Sequence, residues 1–164
     1  MKKHEKNNTP RKGMLKIIPL GGLGEVGANM MVYEYDNQIL VVDTGLMFPE
    51  NDMLGIDYII PDIDYLRQRH DLVRGIIITH GHEDHIGAVP YLAADLGVPL
   101  YATPFTAGLI AGKLEEEGLL DQVELNVIDN GGAFRLGEFG FRYVPLAHSI
   151  AEGNALLIDT PFGR

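Results

Sequence analysis

Gly75-Ile76-Ile77-Ile78-Thr79-His80-Gly81-His82-Glu83-Asp84-His85 is the stretch that decides how this 164-residue chain is read. Its first half, Gly75 to Thr79, is a short β-branched run of the kind that forms a buried strand. Its second half places three of the chain's six histidines and an aspartate within six residues. Packing gives no reason to gather imidazoles at a strand end, whereas metal binding does.

In extended backbone, residues two apart point the same way, so His80 and His82 address one ion together. Asp84 and His85 open a helix, and their side chains diverge from that pair. One segment therefore offers two ligand directions, as two neighbouring metals require. Two metals about 3.5–4 Å apart clamp the attacking and leaving oxygens of a hydrolysed ester, and a bound water of lowered pKa supplies the nucleophile. His148 follows the strand-like run Phe141-Arg142-Tyr143-Val144-Pro145 and is the natural third ligand of the first ion. A cluster hydrogen-bonded within a loop is the bland alternative. His4 and His70 read as surface residues.

Working outward, strands are expected at 15–20, 30–35, 38–43, 98–102, 123–128, 139–145 and 155–159. Asp36-Asn37 suits a two-residue hairpin turn. A long loop follows from Thr44 to about Gly55. Asp62 is a candidate N-cap for a helix over Ile63–Arg69. A second helix is expected from Asp84 through Ala93, with Pro90 as an irregularity near its start and Gly97 as its stop. Thr103-Pro104 opens a third, running to about Glu117. Strands with interspersed helices, some paired as hairpins, indicate a layered α/β domain. The chain stops directly after a strand, at Thr160-Pro161-Phe162-Gly163-Arg164, and reads as the first part of a larger fold. Residues 1–13 read as a disordered basic tail and 14–164 as the partial domain.

Composition narrows the chemistry. The chain has no cysteine, which excludes disulfides, thiolate zinc sites and iron–sulfur clusters and is compatible with a cytoplasmic location. Any metal must be held by imidazole and carboxylate, which suits zinc or manganese. No apolar run approaches a membrane span, and no secretory signal is evident. The net charge of −10 is uneven. Residues 1–13 carry five basic side chains against one acidic, and the remainder carries eight against 22. So acidic a body is not that of a stand-alone nucleic-acid binder.

The run His80-Gly81-His82-Glu83-Asp84-His85 resembles the HxHxDH signature of the metallo-β-lactamase fold. Four further segments are similar to bacterial ribonuclease J: 19–27 (PLGGLGEVG), 42–49 (VDTGLMFP), 55–62 (GIDYIIPD) and 146–150 (LAHSI). The resemblance covers about residues 14–164. It implies a metallo-β-lactamase-like layered αβ/βα sandwich, of which this is the first part. It also implies a two-zinc ribonuclease, acting from the RNA 5′ end and internally in RNA processing and decay, with manganese as the alternative metal. His80, His82 and His148 would hold one zinc. Asp84 and His85 would hold the other and are the candidate catalytic residues. Asp43 would orient the site from behind the ligands, although a structural role capping the next turn is an equal reading. A bridging aspartate, a late histidine ligand, the β-CASP domain that holds the RNA 5′ phosphate and the C-terminal domain lie outside this sequence. The second site is therefore incomplete here, and the fragment alone is expected to be inactive. RNA is the implied substrate. A homo-oligomer and RNA-decay partners are implied for the full-length protein, with no membrane association.

Three other readings compete. Gly22-x-Gly24-x-x-Gly27 after a strand, with Asp43 further on, matches a dinucleotide-binding fingerprint, but Val32, Tyr33 and Tyr35 favour a strand where that fingerprint needs a helix. A hydrolase of small esters or thioesters on the same fold is the second, and a non-catalytic binding module the third. The carboxylates Glu50, Asp52, Asp57, Asp62 and Asp64 lack the spacing of a calcium loop and read as solvated.

Overall fold

The computed structural model describes residues 13–164, so the expected tail lies, Gly13 apart, outside the described residues. Six strands form one sheet in sequence order: β1 (Lys16–Gly21), β2 (Met30–Tyr35), β3 (Gln38–Val42), β4 (Val73–Ile77), β5 (Leu100–Ala102) and β6 (Leu125–Val127). The first three pair antiparallel and the last three join in parallel. A second, antiparallel sheet consists of β7 (Ala133–Leu136), β8 (Phe139–Pro145) and β9 (Asn154–Asp159). The helices are α1 (Asp64–Arg67), α2 (Glu83–Ile86), α3 (Val89–Leu96) and α4 (Pro104–Glu116).

Side-chain alternation sets the layers. Ile39, Val41, Ile76 and Ile78 point into a core shared with Leu92, Leu96 and Ile110 of the helices. Their neighbours Leu40 and Ile77 point the other way, against Phe139, Phe141 and Tyr143 of the second sheet. A sheet buried on both faces needs such continuous apolar strands. The order of layers is thus helices, six-stranded sheet, three-stranded sheet.

Several boundaries differ from the sequence expectation, for identifiable reasons. The helix expected from Asp84 through Ala93 is two helices, broken at Gly87 and Ala88. Pro90 has no N–H and would clash with the carbonyl four residues back, so it takes a place in the first turn of a new helix. The helix near Asp62 is only one turn, and Asp62 Oδ1 accepts the Asp64 N–H at 2.9 Å. Strand β7 has no counterpart in the sequence expectation, because its apolar residues Phe134 and Leu136 are too few to give a period. It pairs with β8 across the turn at Gly137. Asp36 and Asn37 both take positive φ, as a primed hairpin turn requires. Gly97 closes α3 in the left-handed conformation.

Tyr143 ties the two sheets together. Its buried hydroxyl shares its one proton between the carbonyls of Ile78 at 2.9 Å and Tyr101 at 3.1 Å. Burial pushes its phenol well above the usual range, so it stays a donor. Tyr101 O also accepts from Ile78 N, so only one carbonyl loses its side-chain partner outright if the hydroxyl is removed. Tyr143→Phe is therefore expected to cost about 1–2 kcal/mol, read by urea denaturation. An unchanged midpoint would show that the bond contributes nothing.

Candidate metal centre

Topology brings the site residues to one edge. Strands β3 and β4 run parallel, so their C-terminal ends emerge together. Strand β2 is antiparallel to β3, so its N-terminal end lies beside them, with Met31 opposite Val42 and Val42 opposite Ile77. Asn29, Asp43 and the Thr79–His80 pair are therefore neighbours, although they are up to about fifty residues apart in sequence. The loop after β8 brings His148 to the same place.

Nitrogens of His80, His82 and His148 lie within 4.8 Å of one another. His80 is buried, His82 half-buried and His148 exposed, so the cluster opens to solvent on the His148 side. The Nε2 atoms of His80 and His148 face each other at 3.1 Å. Burial, followed by the neighbouring His85 imidazole, lowers the His80 pKa to about 4 despite Asp43. A neutral imidazole is what a metal ligand must be. Three converging imidazoles and no thiolate fit a zinc-type ion with an open position. Among the described residues, this is the one group of three or more such side chains found so close together, and the 50–64 carboxylates form none.

Behind the cluster lies Asp43, buried and at φ 63°. Its Oδ1 accepts the Thr79 backbone N–H at 2.8 Å, and its two oxygens meet the Thr79 hydroxyl at 3.0 and 2.9 Å. Its Oδ2 accepts from His85 Nδ1 at 2.8 Å. Because the Thr79 proton goes to Asp43, the hydroxyl oxygen accepts from His80 Nδ1 at 2.9 Å. One carboxylate thus fixes two tautomers, His85 directly and His80 through Thr79. Both rings are left with Nε2 lone pairs turned to the site, the arrangement by which outer groups orient metal-binding histidines. Burial opposes protonation of His85, but the hydrogen bond and charge of Asp43, helped by Asp84, raise its pKa overall.

Asp84 and His85 lie in α2, for which extended His82 is the N-cap residue. His85 Nε2 and Asp84 Oδ2 are 3.5 Å apart. The rings of His80 and His85 are 4.0 Å apart between centroids, so the two ligand directions expected from the sequence adjoin each other. Gly45 allows the chain to pass here, since a Cβ at this position would come within 1.7 Å of the Asp84 carbonyl oxygen. The glycine run 22–27 lies in bends between β1 and β2, and no helix starts there. This removes the structural basis of the dinucleotide fingerprint.

Sequence reasoning misses two contributors. Thr79 stands inside the quoted segment but reads there only as the end of a strand. Asn29 carries no signal at all. It donates from Nδ2 to Asp84 O at 2.9 Å and Asp84 Oδ2 at 3.1 Å.

Comparison with known proteins agrees with this architecture. The description of the metallo-beta-lactamase superfamily matches residues 23–160. A ribonuclease J of Helicobacter pylori is 45% identical over 161 residues, covering 98% of this chain and 23% of that protein. A ribonuclease J 1 of Streptococcus pyogenes is 42% identical, covering 90% of this chain and 26% of its own length. The chain thus spans about a quarter of the length of these curated relatives. Among solved structures, a protein of unknown function from Enterococcus faecalis superposes with a TM-score of 0.71 at 19% identity, covering 90% of this chain and 41% of that one. The Rm3 metallo-beta-lactamase superposes at 0.60 with 19% identity, over 88% of this chain and 56% of that one. Identities this low speak to the fold alone.

Proposed function

The chain belongs to the metallo-beta-lactamase superfamily, and from that premise we propose that it is the metal-carrying part of a ribonuclease that hydrolyses RNA phosphodiesters. The observation that carries the proposal is the convergence of His80, His82 and His148 beside Asp84 and His85, in a chain 45% identical to a ribonuclease J. His80, His82 and His148 would hold one ion and Asp84 with His85 a second, zinc or manganese in either case. Bound there, the ions supply Lewis acidity toward the phosphoryl group.

The chain's own residues do the rest. Asp43 and Thr79 hold the imidazoles in the ligating tautomer. Asp84 supplies a carboxylate beside the first ion's ligands. The open side at His148 admits a substrate. Residues 14–164 would be the first part of a metallo-β-lactamase domain, completed in a longer protein by β-CASP and C-terminal domains. That protein would act both from the 5′ end and internally, in the cytoplasm, as a homo-oligomer with RNA-decay partners. Among the described residues no helix is long and apolar enough to cross a membrane. The acidic body repels RNA phosphates, so residues 1–164 alone are expected to leave RNA intact.

The test is a nuclease assay on 5′-monophosphorylated single-stranded RNA, using both residues 1–164 and a protein of the relatives' length carrying them. The longer protein should degrade the RNA, lose activity to a chelator and regain it with zinc or manganese. Residues 1–164 should be inert. Hydrolysis of small esters or thioesters without RNA cleavage by the longer protein would replace this reading with a different metallo-hydrolase.

A further inference from the structure

The carboxamide of Asn29, in the turn before β2, makes more contacts to the site than a loop residue needs. Its Nδ2 lies 2.9 Å from the Asp84 carbonyl oxygen, 3.1 Å from Asp84 Oδ2 and 3.4 Å from His85 Nε2. Its backbone N–H donates to the same Asp84 carbonyl at 3.1 Å, and its own carbonyl accepts from Gly45 N at 2.9 Å. Five contacts thus join one residue to the segment bearing Asp84 and His85 and to the segment after Asp43.

The chemistry fixes which end of the amide faces the site. An oxygen 2.9 Å from a backbone carbonyl oxygen would meet it lone pair to lone pair, so the nitrogen belongs there. An amide nitrogen has no lone pair available for a metal, so Asn29 is not itself a ligand. The amide oxygen turns toward Gly22, where a Cβ would come within 2.5 Å of it. Gly22, at φ 78°, therefore makes room for the Asn29 side chain, which gives part of the glycine run a function.

We propose that Asn29 is a positioning residue for the second ion. Its two N–H groups hold the Asp84 main chain and carboxylate together, so that Asp84 Oδ2 and His85 Nε2 stay 3.5 Å apart, close to the ligand–ligand spacing of a tetrahedral site with roughly 2.0–2.2 Å bonds. The inference rests on the two-ion reading above. No shorter side chain replaces the amide: a serine hydroxyl has one proton for two acceptors, and a carboxylate has none.

The experiment is a zinc titration of a protein of the relatives' length carrying these residues, in which the second site has its remaining ligands, as parent and Asn29→Ala, followed by NMR of the ring nitrogens of isotope-labelled histidine. In the parent, His80, His82 and His148 should respond in a first step and His85 in a second. In Asn29→Ala the first step should be unchanged and the His85 step should need roughly 10–100-fold more zinc, the usual effect of losing an outer partner. The unchanged first step shows that the variant is folded. A His85 step equal to the parent's overturns the proposal. So does an equal weakening of both steps, or unfolding, since Asn29 would then be structural only. If His85 in the parent never responds, the two-ion reading fails and takes this inference with it. An unshifted His85 step in Asn29→Ala alone leaves that reading standing.

Discussion

Replacing His80 with alanine is expected to abolish uptake of the first ion, weakening it by well over the roughly 100-fold that marks the loss of even a strong outer partner. His80 is the most buried of the three imidazoles. Its Nδ1 is pinned by Thr79 and its Nε2 faces His148 at 3.1 Å. It is also neutral down to about pH 4, so protons compete little for the lone pair at neutral pH. Removing it leaves only half-buried His82 and exposed His148, and two imidazoles do not close a zinc site. Zinc titration by calorimetry reads the loss. His70→Ala is the control, because His70 is half-exposed and bonds instead to the Leu96 carbonyl at 2.6 Å. In a protein of the relatives' length, His80→Ala should lose RNA cleavage in parallel. Parent-like zinc affinity in His80→Ala would mean that the cluster is not the metal centre.

Asp43→Ala carries the second large effect, on stability and on metal together. The side chain accepts from Thr79 N, the Thr79 hydroxyl and His85 Nδ1, and it is buried. Truncation strands those donors, at a cost of roughly 2–5 kcal/mol in all. Asp43 also sits at φ 63°, a conformation that costs alanine about 1 kcal/mol more. Asp43→Asn avoids that second contribution, because asparagine tolerates the left-handed region, and so isolates the charge. The variant keeps one acceptor oxygen but turns an NH2 toward either His85 or Thr79. It should lower zinc affinity about 10–100-fold by freeing a tautomer. Guanidinium denaturation of the metal-free chain and zinc titration separate the two effects. Parent-like zinc affinity in Asp43→Asn would reduce Asp43 to a structural cap.

The same carboxylate shows where sequence reading stops. In the sequence, Asp43 is a candidate either for orienting the site or for capping a turn. In the structure one side chain contacts the Thr79 backbone and His85 at once. Choosing between those roles needs the register of β3 against β4, and no local pattern encodes that register. Pro90 is the opposite case. Its missing N–H is a local fact, yet the expectation of a single helix overlooks that a break at Gly87–Ala88 places the ring in a first turn. Strand β7 is illegible because four residues with two apolar side chains have no measurable period, and pairing with β8 defines it.

Local sequence was enough to define the donors on offer: imidazole and carboxylate without thiolate, in a spacing of two along extended chain followed by a helical turn. It also determined the layering, since Ile39 to Val41 and Ile76 to Ile78 are apolar without interruption and so must be buried on both faces. These properties follow from bonds and periods within a few residues. Only the tertiary structure decided that His148 faces His80, that Thr79 relays Asp43 to His80, and that Asn29 grips Asp84 across 55 residues. Those contacts exist because antiparallel β2 and parallel β3 and β4 bring one start and two ends to the same edge, and the loop after β8 of the second sheet reaches it; such pairing and packing are properties of the folded chain.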